Sequence, residues 1–367
     1  MATSKVYYMN GRSHNLQTSL VSQMLTVFDE AGFGELIRPH DIVAIKLHCG
    51  DWNNTGYLRP VYARALADRI KELGGQPFVC DTITMPYNSY GHRMTGLEIL
   101  TTAARNGLTS ATLGCPFIAA DGFNGTDDVR VEVPEGVILR EAYIAKAIAL
   151  ADVLIALTHF KGHAAGVIGG SLKNLGIGAQ SRRGKANVHM SRHPKYGIKA
   201  RIEYRPEKCV GRAECAYWQQ CEDSCPYGLF EVQEHGLKYD RSKCRDCKLC
   251  PSIREQCGVM TRRPEAWRDY FRAMNAAIGD GALAAVKAVG RGKVGFINMA
   301  IDISPYCDCA SYTDAPILPN LGVLASKDPV ALDQACVDLA EEVAGNYNSM
   351  AEDKGVMEPG VKKFENI

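Results

Sequence analysis

Short apolar runs alternate with segments of helical spacing through the first two hundred residues. DIVAIKL (41–47), PFVC (77–80) and DVLIALT (152–158) are nearly continuous in apolar residues, the pattern of strands covered on both faces. After the first run, Val61, Ala65, Leu66, Ile70 and Leu73 recur at helical spacing. Pro60 suits the first turn of that segment and Gly74-Gly75 its end, which predicts a helix from Pro60 to Leu73. A second helix is expected from Arg140 to Leu150. Beyond residue 263 the pattern resumes with a helix from Pro264 to Val289, the strands KVGFINM (293–299) and LGVLA (321–325), and a helix opened by Asp328-Pro329. Asp328 reads as the N-cap of that last helix. Met85 to Phe123 is weakly patterned and predicts no element. Strands alternating with helices predict an α/β domain with an open, mainly parallel sheet and helices on both faces.

The cysteines interrupt this plan. Of 14, eight fall between Cys209 and Cys257. The N-terminal residues lack the apolar stretch of a signal peptide, so a cytoplasmic setting is expected, where clustered cysteines signal metal or redox chemistry before disulfides. The first half of the cluster reads Cys209-x5-Cys215-x5-Cys221-x3-Cys225-Pro226. The second reads Cys244-x2-Cys247-x2-Cys250-Pro251, with Cys257 following. In two-cluster ferredoxins three closely spaced cysteines wrap one cluster and the fourth of the run ligates the other. That rule assigns Cys209, Cys215, Cys221 and Cys257 to one 4Fe–4S cluster and Cys244, Cys247, Cys250 and Cys225 to the second. GLFEV and GLKYD, on either side of Gln233 to His235, predict a β-hairpin. Eight thiolates could also fill two structural zinc sites, but zinc ribbons favour paired Cys-x2-Cys units over a triplet and a Cys-Pro ending. The first triplet is stretched to five-residue gaps and Cys257 lacks a following proline, so the first cluster departs further from the ferredoxin pattern. The expected organisation is an α/β domain in two parts, 1–200 and 263–367, with a ferredoxin-like insertion at 201–262.

Forty-two Lys and Arg against forty-one Asp and Glu leave a net charge of +1, with no global field to attract nucleic acid or an acidic membrane. The longest apolar stretch, Ala145 to Leu157, is broken by Lys146 and Asp152 and is too short to cross a bilayer. Charge matters locally. In open parallel sheets ligands bind beyond the carboxyl ends of the strands. Five predicted strands lead there into reactive groups: His48-Cys49-Gly50-Asp51, Asp81-Thr82, His159 to His163, Cys307-Asp308-Cys309, and Ser326-Lys327-Asp328. One convergent pocket is therefore expected. Gly166, Gly169 and Gly170 would offer backbone donors to an oxyanion, with Lys161, Lys173, Asn174 and Arg182 as candidate substrate-binding residues and His48 or His163 handling protons. Cys307 and Cys309 would share a face if extended, where they read as two buried or reducible thiols, or with Cys49 or His48 as the ligands of a further metal. Cys80, Cys115 and Cys336 read as core thiols.

KGHAAGVIGGSLKNLGIG, SRRGKANVHMS, the cysteine segment and SPYCDCASYTDAPILPNLGVLASKDPVALDQA together resemble the family of iron–sulfur proteins named domain of unknown function 362. The resemblance runs from about Asp41 to Ala340 and implies an α/β core carrying inserted 4Fe–4S clusters. More narrowly, His159 to Lys173 resembles the His…Gly-Gly-x-Lys stretch of nickel-pincer lactate racemases. The expected function is electron transfer through two 4Fe–4S clusters to or from an anionic substrate in the α/β pocket, with a redox protein or a small anion as partner. The alternatives are an electron-carrying adaptor without its own catalysis and a metal- or cofactor-handling enzyme distantly like the racemases.

Overall fold

The computed structural model describes residues 3–85, 92–190, 193–225, 227–244 and 257–367. Cys247 and Cys250, two of the predicted cluster ligands, lie outside these residues, as do Pro226 and Pro251. The chain forms two compact units, one of residues 1–84, 90–185 and 277–367 and one of 85–89 and 186–276.

The first unit is built on strands β1 (Tyr7–Met9), β2 (Ile42–Lys46), β3 (Gln76–Asp81) and β4 (Phe117–Ala119), the hairpin of β5 (Asp128–Glu132) and β6 (Glu141–Ala145), and β7 (Val153–His159). A short hairpin of β8 (Lys161–His163) and β9 (Val167–Gly169) follows β7. In the second unit β10 (Ile202–Tyr204) pairs with β13 (Met260–Arg262), and β11 (Phe230–Gln233) with β12 (Gly236–Tyr239), the predicted hairpin. The first unit resumes with β14 (Val294–Ala300) and β15 (Gly322–Ser326).

Seven strands form one sheet in the order β1-β15-β14-β7-β2-β3-β4. β14, β7, β2, β3 and β4 run parallel, and β15 runs antiparallel to β14. Alternate residues feed two cores. Val43, Ile45, Val79, Ile155, Leu157 and Ile297 face helices Leu20–Glu30 and Pro60–Glu72. Ala44, Phe78, Leu154, Ala156, Phe296 and Leu324 face the other side with Leu332, Cys336 and Ala340 of helix Pro329–Glu342. Helices on both faces leave neither surface to water, so the strands read as unbroken apolar runs. The thiols of Cys80, Cys115 and Cys336 are buried in these cores.

Three expectations need correction. Residues 140–150 are not one helix: Glu141–Ala145 is strand β6 and only Lys146–Ala149 is helical. Its alanines favour a helix, but antiparallel pairing with β5, which buries Ala142 and Ile144, overrides that local preference. The buried face of helix Pro60–Glu72 is Tyr62, Ala63, Leu66, Ala67 and Ile70, while Val61 is half exposed. The antiparallel direction of β15 carries Ser326-Lys327-Asp328 to the end of the sheet opposite the other four carboxyl ends, since Ser326 pairs with Phe296 at the start of β14. Asp328 caps its helix there, accepting from the backbone N–H groups of Val330 and Ala331. The weakly patterned stretch supplies helix Gly96–Arg105 and β4.

Candidate functional site

Four parallel strands, β2, β3, β7 and β14, end on one side of the first unit, and their following loops bring the polar residues together. Lys46, the last residue of β2, is fully buried and forms an ion pair with Asp81 at the end of β3, at 2.9 Å. Burial works against the Asp81 carboxylate, but Lys46 and His48 outweigh it and hold the group well below the ordinary range. Arg93 is buried and donates from Nε to Asp51 at 3.0 Å. Its Nη1 lies 3.4 Å from His48 Nε2, and its Nη2 faces the Cys309 carbonyl at 3.5 Å. Burial and the Arg93 charge push His48 down to about 3, so its imidazole is neutral. His48 Nδ1 accepts from the Gly50 N–H at 3.0 Å.

On the neighbouring strands Asp308 organises the next group. Its carboxylate meets His159 Nδ1 at 2.9 Å and Lys161 Nζ at 2.9 Å, with all three side chains buried. His159 Nε2 contacts the Ile301 carbonyl at 2.9 Å, and Lys161 Nζ donates to the His159 carbonyl at 2.7 Å. Asp308 is held well below the usual carboxylate range because His159 and Lys161 outweigh its burial. Hairpin β8–β9 sits close against the loop before Cys307. Gly162 N–H donates to the Ser304 carbonyl at 2.9 Å, and a Cβ on Gly162 would meet the Pro305 carbonyl oxygen at 2.2 Å.

Cys307-Asp308-Cys309 is a turn and not an extended segment, closed by Ala310 N–H donating to the Cys307 carbonyl at 3.0 Å. The turn buries Asp308 with Lys161 and brings both thiols to His163: one donor atom from each of His163, Cys307 and Cys309 lies within 4.8 Å of the others. Lys173 Nζ donates to Cys307 Sγ at 3.0 Å. The Cys309 hydrogen bond, then Lys173 and Lys161, drive the Cys307 thiol well below its usual range against its burial; the same bond drives Cys309 up. Burial opposes the charge of Lys173, but the Cys307 thiolate overrides it and the ammonium titrates higher than usual. Burial and Lys173 lower His163 to about 4. The arrangement favours the thiolate on Cys307 over Cys309, beside the Lys173 ammonium and two imidazoles driven towards their neutral forms.

The sequence-predicted residues divide accordingly. Lys161, His163, Lys173 and Cys307 gather at one place, and the His48 imidazole interacts with Cys307 and Lys173. Asn174 is committed to the fold: its Oδ1 accepts from Lys46 Nζ at 3.0 Å and its Nδ2 donates to Thr158 Oγ1 at 2.9 Å. Arg182 donates to the Met94 carbonyl. The donors at the start of helix Ser171–Gly176 already have an anion, because Ser171 and Leu172 N–H bind the Asp333 carboxylate at 2.8 and 2.9 Å. A Cβ on Gly170 would lie 2.4 Å from an Asp333 oxygen, so glycine there admits this chain's own carboxylate. Cys49 is buried and forms no part of the His163 group. Arg93 escaped sequence reading because it falls in the unpatterned stretch. Lys46 left a signal, a single charge inside an apolar strand.

No curated protein matches the sequence. Among solved structures, the lactate racemase apoprotein from Thermoanaerobacterium thermosaccharolyticum is similar at 12% identity and a TM-score of 0.40 over 88% of this chain. The chain spans 56% of that protein's length. The family described as domain of unknown function (DUF362) matches residues 43–338, taking in the sheet apart from β1, the thiol site and the cysteine segment. The chain is a member of that family.

Proposed function

We propose that the protein is an iron–sulfur redox protein whose second unit holds two 4Fe–4S clusters and whose first unit carries the reactive pocket. The observation that carries this reading is the donor set of the second unit. Among the described residues Cys209, Cys215, Cys221, Cys225, Cys244 and Cys257 stand outside any disulfide, and none of them is fully buried. Cys209, Cys221 and Cys225 pack against a small apolar core of Ile202, Phe230, Val232, Leu237, Val259 and Met260. Cysteines gathered without disulfides around so small a core fit a segment whose folding is completed by metal. Cys209, Cys215, Cys221 and Cys257 would hold one cluster and Cys244, Cys247, Cys250 and Cys225 the other. Bound clusters would supply one-electron transfer. In the first unit, Lys173 holds charge against Cys307, Asp308 fixes the Cys-x-Cys turn through Lys161 and His159, and neutral His48 and His163 can take up or release protons there.

A second reading, a metal-handling enzyme, is favoured by the His163, Cys307 and Cys309 donors within 4.8 Å, a soft set suited to zinc, nickel or iron. The test is metal and sulfide analysis of chain purified without oxygen. Two 4Fe–4S clusters require about eight iron and eight acid-labile sulfide per chain. Cys215→Ser and Cys247→Ser should each remove mainly one cluster. Stoichiometric zinc without labile sulfide would overturn the reading.

A further inference from the structure

We propose that Cys307 and Cys309 form a redox-active dithiol that exchanges with small-molecule disulfides. The couple stands on the first unit alone and does not depend on the cluster reading. The two cysteines occupy one turn, closed by the Ala310 N–H to Cys307 carbonyl bond, with their sulfurs within 4.8 Å of each other. Disulfide exchange requires a thiolate. Cys307 Sγ has the donors to be one: Lys173 Nζ at 3.0 Å and the Cys309 backbone N–H at 3.5 Å.

The hydrogen bonds of His163 decide between a dithiol and a metal centre. His163 Nδ1 accepts the backbone N–H groups of Ala165 at 3.2 Å and Gly166 at 2.8 Å. Its Nδ1 lone pair is therefore taken, and in the neutral ring the proton sits on Nε2. A metal-bound imidazole instead directs its free N–H outward to an acceptor. These bonds favour His163 as a neutral hydrogen-bonding imidazole over a metal ligand. The positive charge of Lys173 beside the same sulfur also suits an anionic thiolate more than a second cation.

The reaction balances without another co-reactant. Cys307 is 4% exposed and Cys309 more so, which makes Cys309 the entry sulfur. Cys309 passes its proton to Cys307, and its Sγ attacks a substrate R–S–S–R′ as the thiolate. The substrate S–S bond breaks as a mixed disulfide forms, and the first thiolate departs with that proton, which restores the Cys307 thiolate. The Cys307 thiolate then attacks Cys309 Sγ, closing the protein disulfide and releasing the second thiolate. Two electrons pass from the dithiol to the substrate. The Cys309 proton and one from solvent end on the two departing thiolates, with Lys173 beside Cys307 Sγ to donate.

Tryptic peptide 294–327 contains Cys307 and Cys309 and no other cysteine, so the pair can be read in the full chain. Anaerobically purified protein would be equilibrated with reduced and oxidised glutathione at graded ratios, quenched with iodoacetamide and digested. The peptide should pass in one two-electron transition from two alkyl groups to none, lighter by two hydrogens. Cys307→Ser should stop at one glutathione on Cys309, and Lys173→Met should slow exchange at least tenfold while the peptide still oxidises. A wild-type peptide that stays doubly alkylated at every ratio would overturn the proposal. So would thiols that react only after a chelator strips a metal from the folded chain, which would establish the metal centre instead. Labile sulfide measured on the same sample separates the two ideas: a switching peptide without sulfide removes the cluster reading alone, and sulfide with an inert peptide removes the dithiol alone.

Discussion

Asp308 is the carboxylate on which the thiol turn depends, and Asp308→Asn isolates its charge. The substitution keeps the shape and an acceptor for His159 Nδ1, but turns an amide N–H2 towards Lys161 Nζ. At the observed 2.9 Å and an effective dielectric of 20, the Lys161–Asp308 attraction is worth about 6 kcal/mol before desolvation is counted. Lys161 would keep only its bond to the His159 carbonyl at 2.7 Å. Breaking a buried pair from one side costs about 3–5 kcal/mol, because the remaining charge stays buried without compensation. We expect a loss in that range in the first unit. With two units, one unfolding curve does not isolate it. Native-state hydrogen exchange of Val153–His159 and Val294–Ala300, the strands that lead into His159 and Asp308, reads the loss directly. The double variant Lys161→Met/Asp308→Asn removes both charges and should recover about 2 kcal/mol relative to the sum of the single losses. A loss under about 1 kcal/mol for Asp308→Asn, or strict additivity in the double variant, would refute the buried-charge account.

Gly162→Ala should cost about 1–3 kcal/mol by overpacking, since the new methyl meets the Pro305 carbonyl, and should alter Cys307 alkylation in the same experiment; unchanged stability and alkylation would mean the hairpin does not brace the loop. Burial raises Asp333 to about 6 despite its bonds from Asn298, Leu172 and Ser171, so a carboxyl 13C titration should show its midpoint near pH 6, and a midpoint below pH 4 would contradict it. Because the folded value lies above the unfolded one, the stability from this site is fully present below about pH 4 and is lost as pH rises through about 6. Removing metal from the purified chain should cost exchange protection in residues 201–262 before β2 and β14; simultaneous loss in all three would contradict separate folding of the second unit.

Five strands of the seven-stranded sheet, β2, β3, β7, β14 and β15, were legible in the sequence as runs covered on both faces. A parallel strand covered on both faces is mostly apolar, and DIVAIKL, DVLIALT and KVGFINM are nearly so whatever surrounds them. The hairpin at Phe230–Tyr239 and the Asp328 cap were likewise written in adjacent residues, because turns and caps close over two to four positions. The convergence of β2, β3, β7 and β14 followed from the parallel-sheet rule. What failed were the features that depend on distant partners. The direction of β15 is set by its pairing with β14 and β1, which leaves the same apolar run whichever way it points. Residues 141–145 took strand form from β5. The glycine-exposed donors at Ser171 and Leu172 looked free until Asp333, more than 160 positions away, was folded onto them. Lys173 met Cys307 across 134 positions, and Arg93 met Cys309 across 216. Periodicity reports only which face of an element is dry. Which charge is neutralised, and by whom, is decided when the elements pack.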